Sequence, residues 1–120
     1  MRFDLYHLGY PWVQESLMLG KGFPNVWLNF CWTHIISQRF AMDALDEAID
    51  LIPMNKLIGF GGDYYLPVEK VYGHLTMARE DIARVLAARI ERGQFTEDQA
   101  LGLAHKWLRD NPAELYRLKL

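Results

Sequence analysis

The ten residues Lys56–Tyr65 constrain the fold more than any other stretch of the chain. An apolar run leads to two glycines, the glycines lead to one carboxylate, Asp63, and a long amphipathic pattern follows. In α/β proteins, a polar residue that comes where a buried strand ends lies at the edge of the sheet that carries the chemistry. His7-Leu8-Gly9 repeats this layout and Cys31-Trp32 repeats it in part. We therefore predict strand–helix units whose strand ends face one site.

The hydrophobic pattern predicts three strands, at residues 2–8, 26–31 and 55–60. Helices are predicted between and after them, at residues 12–19, 38–52, 68–92 and 97–109, with a last short helix from 111. Strands that alternate with helices in this way are expected to be parallel, with right-handed crossovers. The segment 32–36 is expected to be a loop.

Polar residues and prolines mark the expected helix ends. Ser37 is the predicted N-cap of the helix over 38–52, and Thr96 with Gln99 predicts a capping box. Pro67 stands at the expected start of the long helix, and Asn111 at the expected cap of the last one. Within the helices, the spacing puts Arg89 on a polar side and Leu101 on a buried side.

Composition limits the classes of function. With 120 residues, of which 51 % are apolar, the chain is at most one domain and has enough apolar residues for a core. The net charge of −2, with acids and bases interspersed, argues against a nucleic-acid partner. No apolar run approaches the ~18 residues of a membrane span. A single cysteine excludes a disulfide framework and favours a reducing, cytoplasmic location.

Three parallel strands are too few to form a stable domain whose sheet is fully covered. Parallel strands are normally buried on both faces, and a three-stranded sheet leaves two open edges. We therefore expect residues 1–120 to be a single partial domain. The sheet would be completed either by the rest of a larger barrel or by copies of the same chain in a homo-oligomer.

Asp63 and His7 are the first candidates for chemistry. Asp63 at a strand end is a candidate metal ligand or general base, the alternative being a loop aspartate that caps a turn. His7, also at a strand end, could bind a metal or hold a reacting oxygen. The alternative is a structural histidine whose ring nitrogens are hydrogen-bonded within the protein.

The other candidates lie on the loops that follow the strands. Trp32 could wall a substrate pocket or only cover the rim, and Tyr64 could line the pocket mouth or be an ordinary turn aromatic. His34 is expected to be a solvent-facing loop residue, with a contact to substrate as the alternative. Structural roles are expected for three further residues: Cys31, as a small buried apolar side chain, and the helical His74 and His105.

Four segments resemble the amidohydrolase superfamily, in its amidohydrolase-related branch. His7-Leu8-Gly9 resembles the end of that branch's sixth strand, residues 25–32 its seventh strand, and residues 57–63 its eighth strand, which ends in an aspartate. Residues 111–116 are similar to the tail that closes these barrels. The order and spacing of the four segments match throughout the chain, and the uronate isomerase-like and metal-dependent hydrolase members look closest.

This resemblance implies that the chain is the C-terminal portion of a (β/α)8 TIM barrel, with about three βα units and terminal helices. It implies that Asp63 ligates the catalytic metal, most simply zinc, and accepts a proton from the bound water. His7 would bind a second metal or contact the water and the substrate. Trp32 and His34 would lie on a loop that faces the substrate.

The family's first-strand His-x-His, its fourth-strand bridging residue and its fifth-strand histidine are absent from this sequence. At most two metal ligands are then expected from the chain, against the three or four of a working zinc site. We expect the chain alone to be inactive and to bind no zinc in a working geometry. The complete barrel would hydrolyse a small anionic or carbonyl-bearing substrate. The alternatives are decarboxylation or isomerisation on the same barrel, or a non-catalytic self-associating module.

Overall fold

The three predicted strands pair side by side as one parallel sheet in the computed structural model, which describes residues 1–65 and 68–120. Strand β1 is Phe3–Leu5, β2 is Val26–Asn29 and β3 is Leu57–Ile58, and β2 lies in the middle. Both pairings are parallel, so the expectation from strand–helix alternation is confirmed. All three strands therefore end at the same edge of the sheet.

Six α-helices occur in the described residues. Their bounds are Val13–Gly22 for α1, Thr33–Ile36 for α2, Gln38–Leu51 for α3, Val68–Glu91 for α4, Glu97–His105 for α5 and Asn111–Tyr116 for α6. A π-helical turn, Lys106–Asp110, joins α5 to α6, and 3-10 turns occupy Tyr6–Gly9 and Met54–Lys56. None of the helices in these ranges has the length and apolarity that a membrane crossing needs.

The predicted helix caps are confirmed in two places. The Ser37 side chain accepts a hydrogen bond from the Phe40 backbone amide, and Thr96 with Gln99 forms the reciprocal capping box. The prediction that Pro67 begins the long helix lies outside the described residues.

All three strands are shorter than predicted, and left-handed residues follow the ends of β1 and β2. His7 and Leu8 have φ values of 58° and 52°, so the extended backbone of β1 stops at Leu5. Trp32, with φ of 59°, turns the chain out of β2 and into the short helix α2. The prediction of a loop at residues 32–36 is therefore wrong, and a four-residue helix takes its place.

One face of the sheet forms the core with the helices. The register places Leu5, Leu28 and Leu57 in one row across the three strands. This row packs in an apolar cluster with buried side chains from α1, α3, α4 and the π-helical turn, among them Leu17, Leu45, Ile82 and Trp107. Successive strand residues point to opposite faces, so Asp4, Trp27 and Asn29 point away from this core.

Two assignments within the helices are wrong. Arg89 is buried rather than on a polar face, because Asp46 and Asp50 on α3 approach its guanidinium to 2.6 Å each. Leu101 on α5 is 62 % exposed rather than buried.

The C-terminal helices cover the outer edge of β3. The Gly59 amide donates to the carbonyl of Trp107 at 3.0 Å, and the Asn111 side chain donates to the carbonyls of Leu57 and Met54 at 2.7 and 2.8 Å. Asn111 is therefore not the cap of α6 as predicted, because its side chain satisfies buried backbone carbonyls instead. At the other edge, among the residues that the structure describes, β1 pairs only with β2.

Candidate metal centre

Three potential metal ligands meet at the carboxyl edge of the sheet. His7 follows β1, Cys31 follows β2 and Asp63 follows β3. One donor atom of each side chain lies within 4.8 Å of the other two. His7 and Asp63 lie close together at one edge of the sheet as expected, and the structure places the Cys31 sulfur beside them; the roles of His7 and Asp63 stay predictions.

The imidazole of His7 is oriented as in a metal-binding histidine. Its Nδ1 lies 2.6 Å from the carbonyl oxygen of Cys31, and because a carbonyl only accepts, Nδ1 carries the hydrogen. In the neutral ring, Nε2 then holds a lone pair, and it lies 3.6 Å from Oδ2 of Asp63. Histidines that ligate metals commonly donate their other N–H to a backbone carbonyl in this way. The residues present therefore fit a divalent cation between Nε2 and the carboxylate.

Cys31 is held in place from several directions. Its amide donates to Oδ1 of Asn29 at 2.9 Å, and its carbonyl accepts from His7 and from Thr33. Burial, reinforced by the nearby carboxylates of Asp63 and Asp4, raises the pKa of the thiol to about 11. Ionisation of the thiol would add a negative charge beside the carboxylates of Asp63 and Asp4, and a bound cation would offset this charge.

Two of the three donor residues have strained backbones. His7 and Asp63 have φ values of 58° and 51°, in the left-handed region that non-glycine residues rarely adopt. Such a conformation costs on the order of 1–3 kcal/mol per residue and persists where the surroundings require it, often at functional sites. The Asp63 side chain is about half exposed and that of His7 about one-third, so the site is open to solvent.

Trp32 borders the same opening. Its side chain is 42 % exposed, and its ring lies edge-on to the His7 ring with 6.1 Å between centroids. The predicted role of Trp32 as a pocket wall stays a prediction, and this position is compatible with it.

The sequence matches the family model described as Amidohydrolase over residues 1–118. The chain belongs to the amidohydrolase family. It is similar to protein fluG of Emericella nidulans, with 26 % identity over 117 residues. That alignment covers 97 % of this chain and 13 % of protein fluG, so the chain spans only a small part of this relative's length.

His34 of this amidohydrolase chain is buried, so the prediction that it faces solvent is wrong. Its Nδ1 lies 2.9 Å from Oδ2 of Asp81 on α4, and its Nε2 lies 3.1 Å from the carbonyl of Gly59. Gln38 donates to the other Asp81 oxygen at 3.1 Å. A contact between His34 and substrate stays a prediction, and both ring nitrogens are already engaged.

Tyr64 connects the loop that carries Asp63 to α4. Its hydroxyl is hydrogen-bonded to Nδ1 of His74, and burial raises the pKa of this tyrosine. Burial, with a smaller contribution from His34, lowers the pKa of His74 to about 4, so this histidine is neutral at neutral pH. The predicted place of Tyr64 at the pocket mouth stays a prediction, as does the structural role of His74.

Sequence reasoning assigned no chemical role to Cys31 or Asp81. Cys31 follows the end of β2 at the same distance as His7 follows the end of β1, and this shared position could have identified it as a donor. Asp81 lies three residues after the buried Ala78 and four before the buried Val85, on the apolar side of α4. A lone carboxylate at such a position requires a buried partner, which turns out to be His34.

Proposed function

We propose that this chain contributes strands six to eight of an amidohydrolase (β/α)8 barrel. In this proposal, the complete barrel hydrolyses a small substrate that bears a carbonyl group. The main support is that His7, Cys31 and Asp63 converge within 4.8 Å at the carboxyl ends of three consecutive parallel strands. Enzymes of barrel architecture carry their catalytic residues at this end of the strands.

Nε2 of His7 and the Asp63 carboxylate would hold a divalent metal, for which zinc is our choice. When bound, the ion would lower the pKa of a water molecule so that it attacks the substrate carbonyl at neutral pH. Asp63 would accept the proton of that water, since its carboxylate is half exposed and faces the donor cluster. Trp32 would exclude bulk solvent from one side of the substrate.

Asp63→Asn in the complete barrel tests this function. Hydrolysis of small amides, esters and lactones should fall by about 10²–10⁴-fold, because the amide cannot accept the proton. Circular dichroism and thermal unfolding should remain close to wild type. Asp43→Asn, at an exposed position of α3, is the matched control and should retain full turnover. Retained turnover of Asp63→Asn would remove this residue from the catalytic role.

The outer edge of β1 would pair with the remaining barrel strands or with a second copy of the chain. Pairing of β3 with the first barrel strand would displace the carbonyl of Trp107 and the side chain of Asn111 from its outer edge. Among the described residues this edge has no strand partner, and Phe3 and Tyr6 beside it are 48 % and 46 % exposed. Light scattering on the chain alone should give a mass above 14.0 kDa. A stable monomer would contradict association through this edge.

A further inference from the structure

We propose that Cys31 is a third ligand of the metal centre, so that this chain alone supplies a nitrogen, a sulfur and a carboxylate oxygen. The inference rests on the proposed metal binding by His7 and Asp63. A thiolate in the set favours borderline-soft ions such as zinc or cobalt(II) over magnesium and calcium, which prefer oxygen ligands.

The distances are compatible with one shared ion. Zinc bonds of about 2.0 Å to nitrogen and oxygen and about 2.3 Å to sulfur place tetrahedral ligands roughly 3.3–3.7 Å apart. Nε2 of His7 and Oδ2 of Asp63 are already 3.6 Å apart, and one donor atom of each of the three side chains lies within 4.8 Å of the other two. Closing the set therefore requires side-chain adjustments of about 1 Å rather than a movement of the strands.

The surroundings of Cys31 position its sulfur. The amide of Cys31 donates to Asn29 and its carbonyl accepts from His7, so its backbone is fixed on both sides. A Cβ added to Gly61 would lie 2.9 Å from the sulfur. The absence of a side chain at this glycine therefore makes room for the sulfur.

Cys31 is coupled to His7 in a second way. Its carbonyl selects the His7 tautomer in which Nε2 is free, while its side chain would be a ligand to the same ion. The simpler alternative is that Cys31 only fills space beneath Gly61, a role in which alanine or serine would serve nearly as well.

Titration of the 120-residue chain with cobalt(II) distinguishes these roles. A thiolate ligand produces a sulfur-to-cobalt charge-transfer band in the near ultraviolet, and we expect this band in the wild type. Cys31→Ser and Cys31→Ala should abolish the band and weaken cobalt binding at least about tenfold, with unchanged circular dichroism. Asp63→Asn should weaken binding while the bound fraction keeps the band. His105→Gln, which changes an exposed histidine on α5, should behave as wild type.

The possible results separate the inference from the function on which it rests. Cobalt binding that is weakened by His7→Gln and Asp63→Asn, but shows no charge-transfer band, would overturn the role of Cys31 and leave the metal centre standing. Binding that none of the three substitutions weakens would overturn both the role of Cys31 and the proposed metal centre in this chain.

Discussion

His34 and Asp81 form a buried contact that ties the short helix α2 to helix α4. Nδ1 lies 2.9 Å from Oδ2, and neither side chain has exposed area. Because Nε2 must donate to the carbonyl of Gly59, the hydrogen between Nδ1 and Oδ2 makes the pair neutral overall, whichever atom carries it. The pair thereby connects the end of β3, directly before the Asp63 loop, to the helix that follows that loop.

Asp81→Leu should destabilise the fold. The substitution keeps the approximate size of the side chain but leaves Nδ1 of the buried His34 without its hydrogen-bond partner, which typically costs about 1–3 kcal/mol. The free energy of unfolding in urea is the measurement. Asp43→Leu on α3, whose side chain is 74 % exposed beside Arg39, should stay within about 0.5 kcal/mol of wild type. Equal stabilities of the two variants would contradict a structural role for the pair.

Most of the fold could be predicted because its signals are local. The 3.6-residue period of α4, the apolar runs of the strands and the capping box at Thr96 each depend on neighbouring residues only. The strand ends were less predictable, because no local sequence pattern indicates that His7 and Trp32 adopt left-handed backbone conformations. Such conformations are imposed by the tertiary contacts around them.

The candidate site was predictable only in part, for the same reason. His7 and Asp63 were found because each follows a strand, and parallel strands bring such positions together. The partners of His34 and Arg89 lie 47 and 43 residues away in the sequence, and no pattern of spacing encodes these pairings. Once the helices pack, polar residues on their apolar sides acquire partners.

His74 should make stability depend on pH below neutrality. Burial lowers its pKa from 6.5 to about 4, so between these values the unfolded chain binds a proton that the folded chain does not. The contribution of His74 to the free energy of unfolding is therefore complete above about pH 6.5. It is lost as the pH falls towards 4, by on the order of 3 kcal/mol. Urea unfolding of wild type and His74→Phe at several pH values measures it, and the variant should show the shallower decline.

His105 is the matched control for this pH effect. His105→Gln removes a histidine whose side chain is 57 % exposed on α5, and the decline that His74→Phe makes shallower should remain in this variant. Parallel profiles for wild type and His74→Phe would mean that His74 accepts its proton in the folded state at an ordinary pH.

Alanine at two glycines should change stability in opposite directions. A Cβ at Gly61 would lie 2.9 Å from the Cys31 side chain and 3.1 Å from its Cα, so Gly61→Ala should destabilise by about 1–3 kcal/mol. At Gly102, in the middle of α5, the Cβ would meet nothing within 4 Å, and alanine should stabilise by about 0.5–1 kcal/mol. Thermal unfolding of both variants checks the signs, and a stabilised Gly61→Ala would show that the Asp63 loop can move away from Cys31.

Asn111→Leu should expose the outer edge of β3. The substitution keeps the size of a side chain that is only 3 % exposed but removes both donors, so the carbonyls of Leu57 and Met54 lose their partners. We expect a loss of about 1–3 kcal/mol in unfolding free energy and faster amide hydrogen exchange at Gly59, whose own bond to Trp107 depends on the same packing. Asn55→Leu, at an exposed position, should change neither quantity. Wild-type exchange at Gly59 in Asn111→Leu would mean that the π-helical turn holds the edge without this side chain.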